Sequence, residues 1–174
     1  MPRIPYFDLK KAPPAITELL SSRPPLNIYR MLPHAVAAAP AFLKLGGALL
    51  RESELDAKLR ELAILRVGVL SGATYEVHQH KRVARSVGLL PEKIEAVTAG
   101  ADAGVYTALE KMVLRFTDTV VRNVKAPEPM FQELLAELNQ RQMAELVLTI
   151  GFYMMVCRFL ENFEVEIEPP GTIQ

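Results

Sequence analysis

The sequence predicts an all-α fold of about seven or eight helices, and three observations predict it. Apolar residues recur at helical spacing, as at Leu109, Met112, Val113, Phe116, Val120 and Val121. No segment shows the sustained apolar–polar alternation of a half-buried strand. Glycine and proline mark the breaks between periodic segments, at Gly72, Gly88, Pro91, Pro127 and Pro129.

Read in order, the chain opens with Pro2, Pro5, Pro13, Pro14, Pro24 and Pro25. Residues 1–32 are therefore expected to form an extended arm with one short helix over 15–21, laid along a neighbouring surface. A helix is expected over 33–50, with Pro40 as a kink or restart. The next runs over 53–70 with Ser53 as its N-cap, and Ser71-Gly72 ends it. Residues 73–87 form a helix closed by Gly88, and Pro91 starts a short helix reaching Val97. A long amphipathic helix spans 102–123. The two prolines after it precede a helix over 131–138, and the last and most apolar helix covers 139–162. Residues 33–163 make the helical domain, and 164–174 an extended tail.

At 174 residues the chain fits one domain with a substantial core. Twenty basic and twenty acidic side chains cancel, and no basic run with aromatics appears, which excludes an electrostatic affinity for nucleic acid or anionic lipid. The lone cysteine, Cys157, permits no intrachain disulfide, CxxC redox pair or cysteine zinc cluster, and reads as a small buried hydrophobe. The N-terminus lacks a signal-peptide core, so a cytoplasmic location is expected. The apolar run over 146–160 is shorter than the roughly 20 residues of a bilayer span, and Arg158 interrupts it, so no membrane segment is expected. Two helices, over 62–70 and over the last apolar stretch, look apolar all round. That points to a homo-oligomer whose interface continues the core.

The chemistry concentrates in RELAILRVGVLSGATYEVHQHKRVARSVGLL, residues 60–89. Glu76 and His80 stand four apart and share a helix face, and Glu61 needs only the Ser71-Gly72 turn to join them. Two carboxylates and an imidazole in one pocket can move protons near neutral pH. The plain alternatives are a solvated Glu61 paired with Lys58 or Arg60, and an exposed Glu76–His80 pair. His78 lies on another face, and i, i+2 spacing does not converge on an ion, so no metal is expected. Arg66, inside an apolar run, requires a carboxylate. That partner is either a residue across a subunit contact or an acidic substrate, and Arg158 has the same two readings. Tyr75 adds a hydroxyl donor for a substrate beside Glu76.

The stretch RELAILRVGVLSGATYEVHQHKRVARSVGLLPEKIEAV resembles the carboxymuconolactone decarboxylase family, which includes alkylhydroperoxidase D-like proteins. The arginine–glutamate start, the small turn, Tyr-Glu with histidine four residues later, and Gly-Leu before Pro-Glu-Lys-Ile carry the resemblance, as does the closing GFYMMVCRFLENFEVEIE. The resemblance implies an alkylhydroperoxidase D-like helical bundle assembled as a trimer or hexamer. The family's peroxidase branch uses a glutamate, a CxxC pair and a histidine. Glu61 and His80 match the first and last, but Ala73 and Glu76 occupy the cysteine positions and Tyr75 that of the intervening histidine. Without those sulfurs a dithiol peroxidase is disfavoured. The decarboxylase branch carries Glu-x-x-x-His, matched by Glu76 and His80. The resemblance thus implies a cofactor-independent carboxy-lyase or isomerase of aromatic catabolism, acting on a small carboxylated lactone or related acid. Catalysis would fall to His80, Glu76 and Glu61, with Tyr75 and Arg66 binding substrate. A peroxidase-type antioxidant protein and a non-enzymatic oligomeric small-molecule binder are the alternatives.

Overall fold

Most helices open on a capping side chain or a first-turn proline. The computed structural model describes residues 1–172, and among them lie nine α-helices, three single 3-10 turns and no strand. Helix α1 spans Pro14–Ser21 and α2 spans Asn27–Met31. The second is absent from the sequence expectation, because five residues are too few to show a period. It buries Ile28 and Met31 all the same. Helix α3 runs Ala39–Arg51 with Pro40 in its first turn. The proline therefore begins this helix rather than kinking one from residue 33, its missing N–H costing nothing at that position.

Helix α4 spans Ala57–Leu70 and is capped by Asp56, whose carboxylate accepts from the Lys58 and Leu59 amides. Ser53, the expected cap, instead donates its hydroxyl to the Leu49 carbonyl of α3 at 2.8 Å. Gly72, at φ +65°, makes the reversal into α5, Thr74–Ser86. Helix α6 is Pro91–Ala96, and α7 is Ala108–Asn123. The latter begins at a reciprocal Thr107–Glu110 capping box, later than the expected residue 102. Helix α8, Glu128–Glu137, starts earlier than expected because Pro129 is accommodated in its first turn. Helix α9, Gln140–Phe163, is opened by an Asn139–Gln142 capping box.

Helix α4 is the axis of the fold, packed on α5, α7 and α9. Every residue from Leu59 to Gly68 is buried, so its all-round apolar character is consumed inside one chain. Helix α9 differs. Its 24 residues are long and apolar enough to cross a bilayer, yet half of its most apolar window is buried against the rest of the chain. The remainder leaves Val147, Leu148 and Met155 exposed along one face. Arg158 is exposed as well, with Nη1 on the Met154 carbonyl at 2.8 Å, so it requires no buried partner.

The N-terminal arm lies along its own chain. Arg3 N–H donates to the Phe163 carbonyl and Phe7 N–H to that of Arg30. The tail after α9 carries no helix over 165–169 and returns beside the arm, with Glu166 N–H donating to the Tyr6 hydroxyl at 3.1 Å. Residues 173 and 174 of the expected tail lie outside the described residues.

Candidate active site

Helices α4 and α5 are held unusually close at Gly68. A Cβ there would stand 2.9 Å from Val77 Cγ2 and 3.8 Å from Glu76 Cβ. Glu61 lies seven residues before Gly68, two turns along the same face of α4. The close crossing thus presents Glu61 to the face of α5 that carries Glu76 and His80.

The three side chains meet. His80 Nδ1 is 2.7 Å from Glu61 Oε2, and Nε2 is 3.1 Å from Glu76 Oε1. Glu61 is fully buried, while Glu76 and His80 are 3% and 7% exposed, so neither the solvated-glutamate nor the exposed-pair alternative holds. The His80 ring meets Tyr153 of α9 edge-on, with centroids 4.9 Å apart. Burial opposes a charged imidazole, but the carboxylates of Glu61 and Glu76 outweigh it and push the His80 pKa up to about 10. At neutral pH the ring is therefore an imidazolium clamped between two carboxylates.

Arg60 completes the group. It is 5% exposed, and its Nε lies 3.8 Å from Glu61 Oε1. Arg60 Nε, Glu61 Oε1 and Glu76 Oε1 are buried without an aligned hydrogen-bond partner among the described residues. Buried polar atoms are seldom left so, and their concentration at one place marks a site with polar capacity unspent on the fold. The sequence shows Arg60 as the arginine of the Arg-Glu pair, but spacing alone places it on the solvated side.

Glu76 and His80 line a cavity of about 90 Å³ whose other walls are largely apolar, including Ile28, Phe42, Leu50, Phe152 and Val156. Glu61 is not in the wall and stands behind His80. Tyr75 lines the cavity, but its hydroxyl donates to Glu168 Oε1 at 2.6 Å and accepts from Ile28 N–H. The expected substrate donor is thus engaged within the protein. Glu168, from the tail, also accepts from Gln79 Nε2 and Asn27 N–H, tying tail, α2 and α5 together behind the cavity wall. Nothing in the sequence reveals this contact, since Glu168 lies far from its partners along the chain.

Arg66 is elsewhere. Its Nε and Nη2 both donate to Asp118 of α7, and Nη1 donates to the Val97 and Thr98 carbonyls. The guanidinium is satisfied within one chain, which removes the reason for assigning it to a subunit contact or an acidic substrate. His78 is exposed, as its spacing implies. Cys157 is buried, and burial pushes its thiol pKa up to about 12. No cluster of metal-ligating side chains occurs among the described residues.

Residues 37–119 match the model of the carboxymuconolactone decarboxylase family, and solved AhpD-like structures share the fold of nearly the whole chain. Over that segment the chain is similar to the carboxymuconolactone decarboxylase family, and it shares its fold with AhpD-like structures. Among solved structures, an uncharacterized peroxidase-related protein from Ralstonia eutropha JMP134, described as an alkylhydroperoxidase AhpD core, aligns with a TM-score of 0.85. That match has 17% identity and covers 96% of this chain and 92% of the other. The debrominase Bmp8, crystallised with 2,3,4-tribromopyrrole, aligns with a TM-score of 0.73 at 17% identity, over 88% of this chain and 82% of its own. The uncharacterized protein YdfG of Bacillus subtilis (strain 168) is 24% identical over 103 residues, 58% of this chain and 70% of YdfG. Likeness at these identities shows the fold alone.

Proposed function

We propose that this chain is a cofactor-independent acid–base enzyme that decarboxylates or isomerises a small carboxylated lactone or related acid. In this reading it works in the cytoplasm as a homo-oligomer, without nucleic acid or membrane. The observation that carries it is the buried imidazolium held between two carboxylates, with Glu76 and His80 facing an apolar cavity. In a decarboxylation the bond from carbon to the leaving carboxylate breaks, CO2 departs, and the electron pair moves into the conjugated carbonyl as a dienolate. The carbon then takes a proton.

Both His80 nitrogens are beside carboxylates, which favours a relay over direct delivery from the ring. His80 Nε2 would pass its proton to the Glu76 carboxylate, which delivers it to carbon, and the neutral ring would regain a proton from solvent water. Glu61 acts as a positioning residue, fixing the ring through Nδ1 and stabilising its charge. The apolar walls strengthen each of these interactions.

A dithiol peroxidase finds no support in these residues. It requires an attacking thiolate and a resolving thiol, whereas the chain has one cysteine, whose burial disfavours the thiolate. The test is CO2 release from γ-carboxymuconolactone by wild-type protein beside Glu76→Gln and His80→Gln. Loss of an acid–base group of this kind predicts a fall of about 10²-fold or more in kcat. Turnover undiminished in both variants would refute the assignment.

A further inference from the structure

Three charged side chains line the cavity, and two of them, Glu76 and His80, pair with each other. One cation in the wall is left over, Arg23, from the segment between α1 and α2. No carboxylate among the described residues pairs with it. Its Nε donates to the Leu19 carbonyl at 3.1 Å, Nη2 to the Leu43 carbonyl at 3.0 Å, and Nη1 lies 3.4 Å from the Tyr29 hydroxyl. All three acceptors are neutral. They fix the guanidinium in place without cancelling its charge and leave two of its N–H groups for an anion.

We infer that Arg23 is the anion-binding point of this cavity, taking a carboxylate that the reaction leaves intact. The inference rests on the acid–base reading of the same cavity and narrows its substrate class. The ligand is a small molecule with one retained carboxylate on Arg23, and its reacting carbon is directed to Glu76. With the retained carboxylate on Arg23, the carbon that loses CO2 is presented to Glu76 and His80, so the two polar regions impose one orientation. The competing role for Arg23 is a helix cap alone, since Leu19 belongs to the last turn of α1. A cap needs no ligand and would discriminate between none.

The test is calorimetric binding of γ-butyrolactone-γ-acetate and its uncharged carboxamide to wild type, Arg23→Gln and Arg23→Lys. Wild type is expected to prefer the carboxylate by about tenfold or more, the effect of one charged hydrogen-bonded contact. Arg23→Gln should abolish that preference while binding the carboxamide unchanged, and Arg23→Lys, which keeps the charge, should retain part of it. Absence of a preference in wild type overturns the inference, whether both probes bind equally or neither binds. Preference surviving in Arg23→Gln overturns it too. If Arg23→Gln does not fold, Arg23→Lys decides alone: a preference below that of wild type upholds the inference, and a preference equal to wild type overturns it. Binding is read without turnover, so a preference lost in Arg23→Gln alongside absent catalysis would leave Arg23 standing and remove the acid–base reading.

Discussion

Glu61 and Arg66, five residues apart on one buried helix, are each charged for a different reason. Glu61 faces His80 beside the cavity, while Arg66 faces Asp118 and two backbone carbonyls on another side of α4. Replacing Asp118 with Ala leaves the Arg66 charge buried and half its donors without acceptors. The expected loss is about 3 kcal/mol of stability, read as a lowered urea midpoint, with carboxylate binding in the cavity unchanged. The sequence made Glu61, Glu76 and His80 legible because helical spacing and one tight turn suffice to bring them together. Tyr75 and Arg66 were legible only as polar groups needing partners. Those partners, Glu168 and Asp118, lie far along the chain, and no local pattern points to them.

At the level of elements, the crossing of α4 and α5 sets the site. Gly68→Ala would place a methyl group against the stiff β-branched Val77, and α5 must move away to admit it. Overpacking of this kind costs about 1–3 kcal/mol, and the shift would widen the Glu61–His80 contact. The variant is expected to melt lower and to lose turnover together, and unchanged kinetics would show that the crossing has slack. Helix existence was readable from periodicity, but helix starts were less so. Ser53 and Asp56 are both good capping residues, and the bond of Ser53 back to the Leu49 carbonyl four residues earlier decides between them. Residues 33–38 resemble a helix in composition, yet Pro40 fits the first turn of a helix that begins at Ala39.

For the whole molecule, two apolar helices suggested self-association, and the fold separates their roles. Helix α4 spends its apolar surface on α5, α7 and α9, so its buried residues from Leu59 to Gly68 have none left for an interface. Helix α9 retains the stripe of Val147, Leu148 and Met155. If the proposed homo-oligomer forms, that stripe is the surface a second copy would cover, because burying it recovers about 25 cal/mol per Å² of apolar area. Leu148→Glu should then shift sedimentation toward the monomer while the isolated fold is kept. An unchanged assembly would assign the interface elsewhere. Sequence alone could not separate the two helices, since a helix wrapped by its own chain and one half-covered by it have similar composition.

The most direct measurement follows the His80 ring nitrogens by NMR through a pH titration, in wild type and in Glu76→Gln. A histidine whose folded pKa is raised keeps its proton as pH climbs past the usual histidine range and loses it only near the raised value. Both ring nitrogens should therefore be protonated at neutral pH and release a proton near pH 10, and the transition should move down in Glu76→Gln. A neutral His80 ring at pH 7 in the wild-type protein would contradict the imidazolium at the centre of the proton relay.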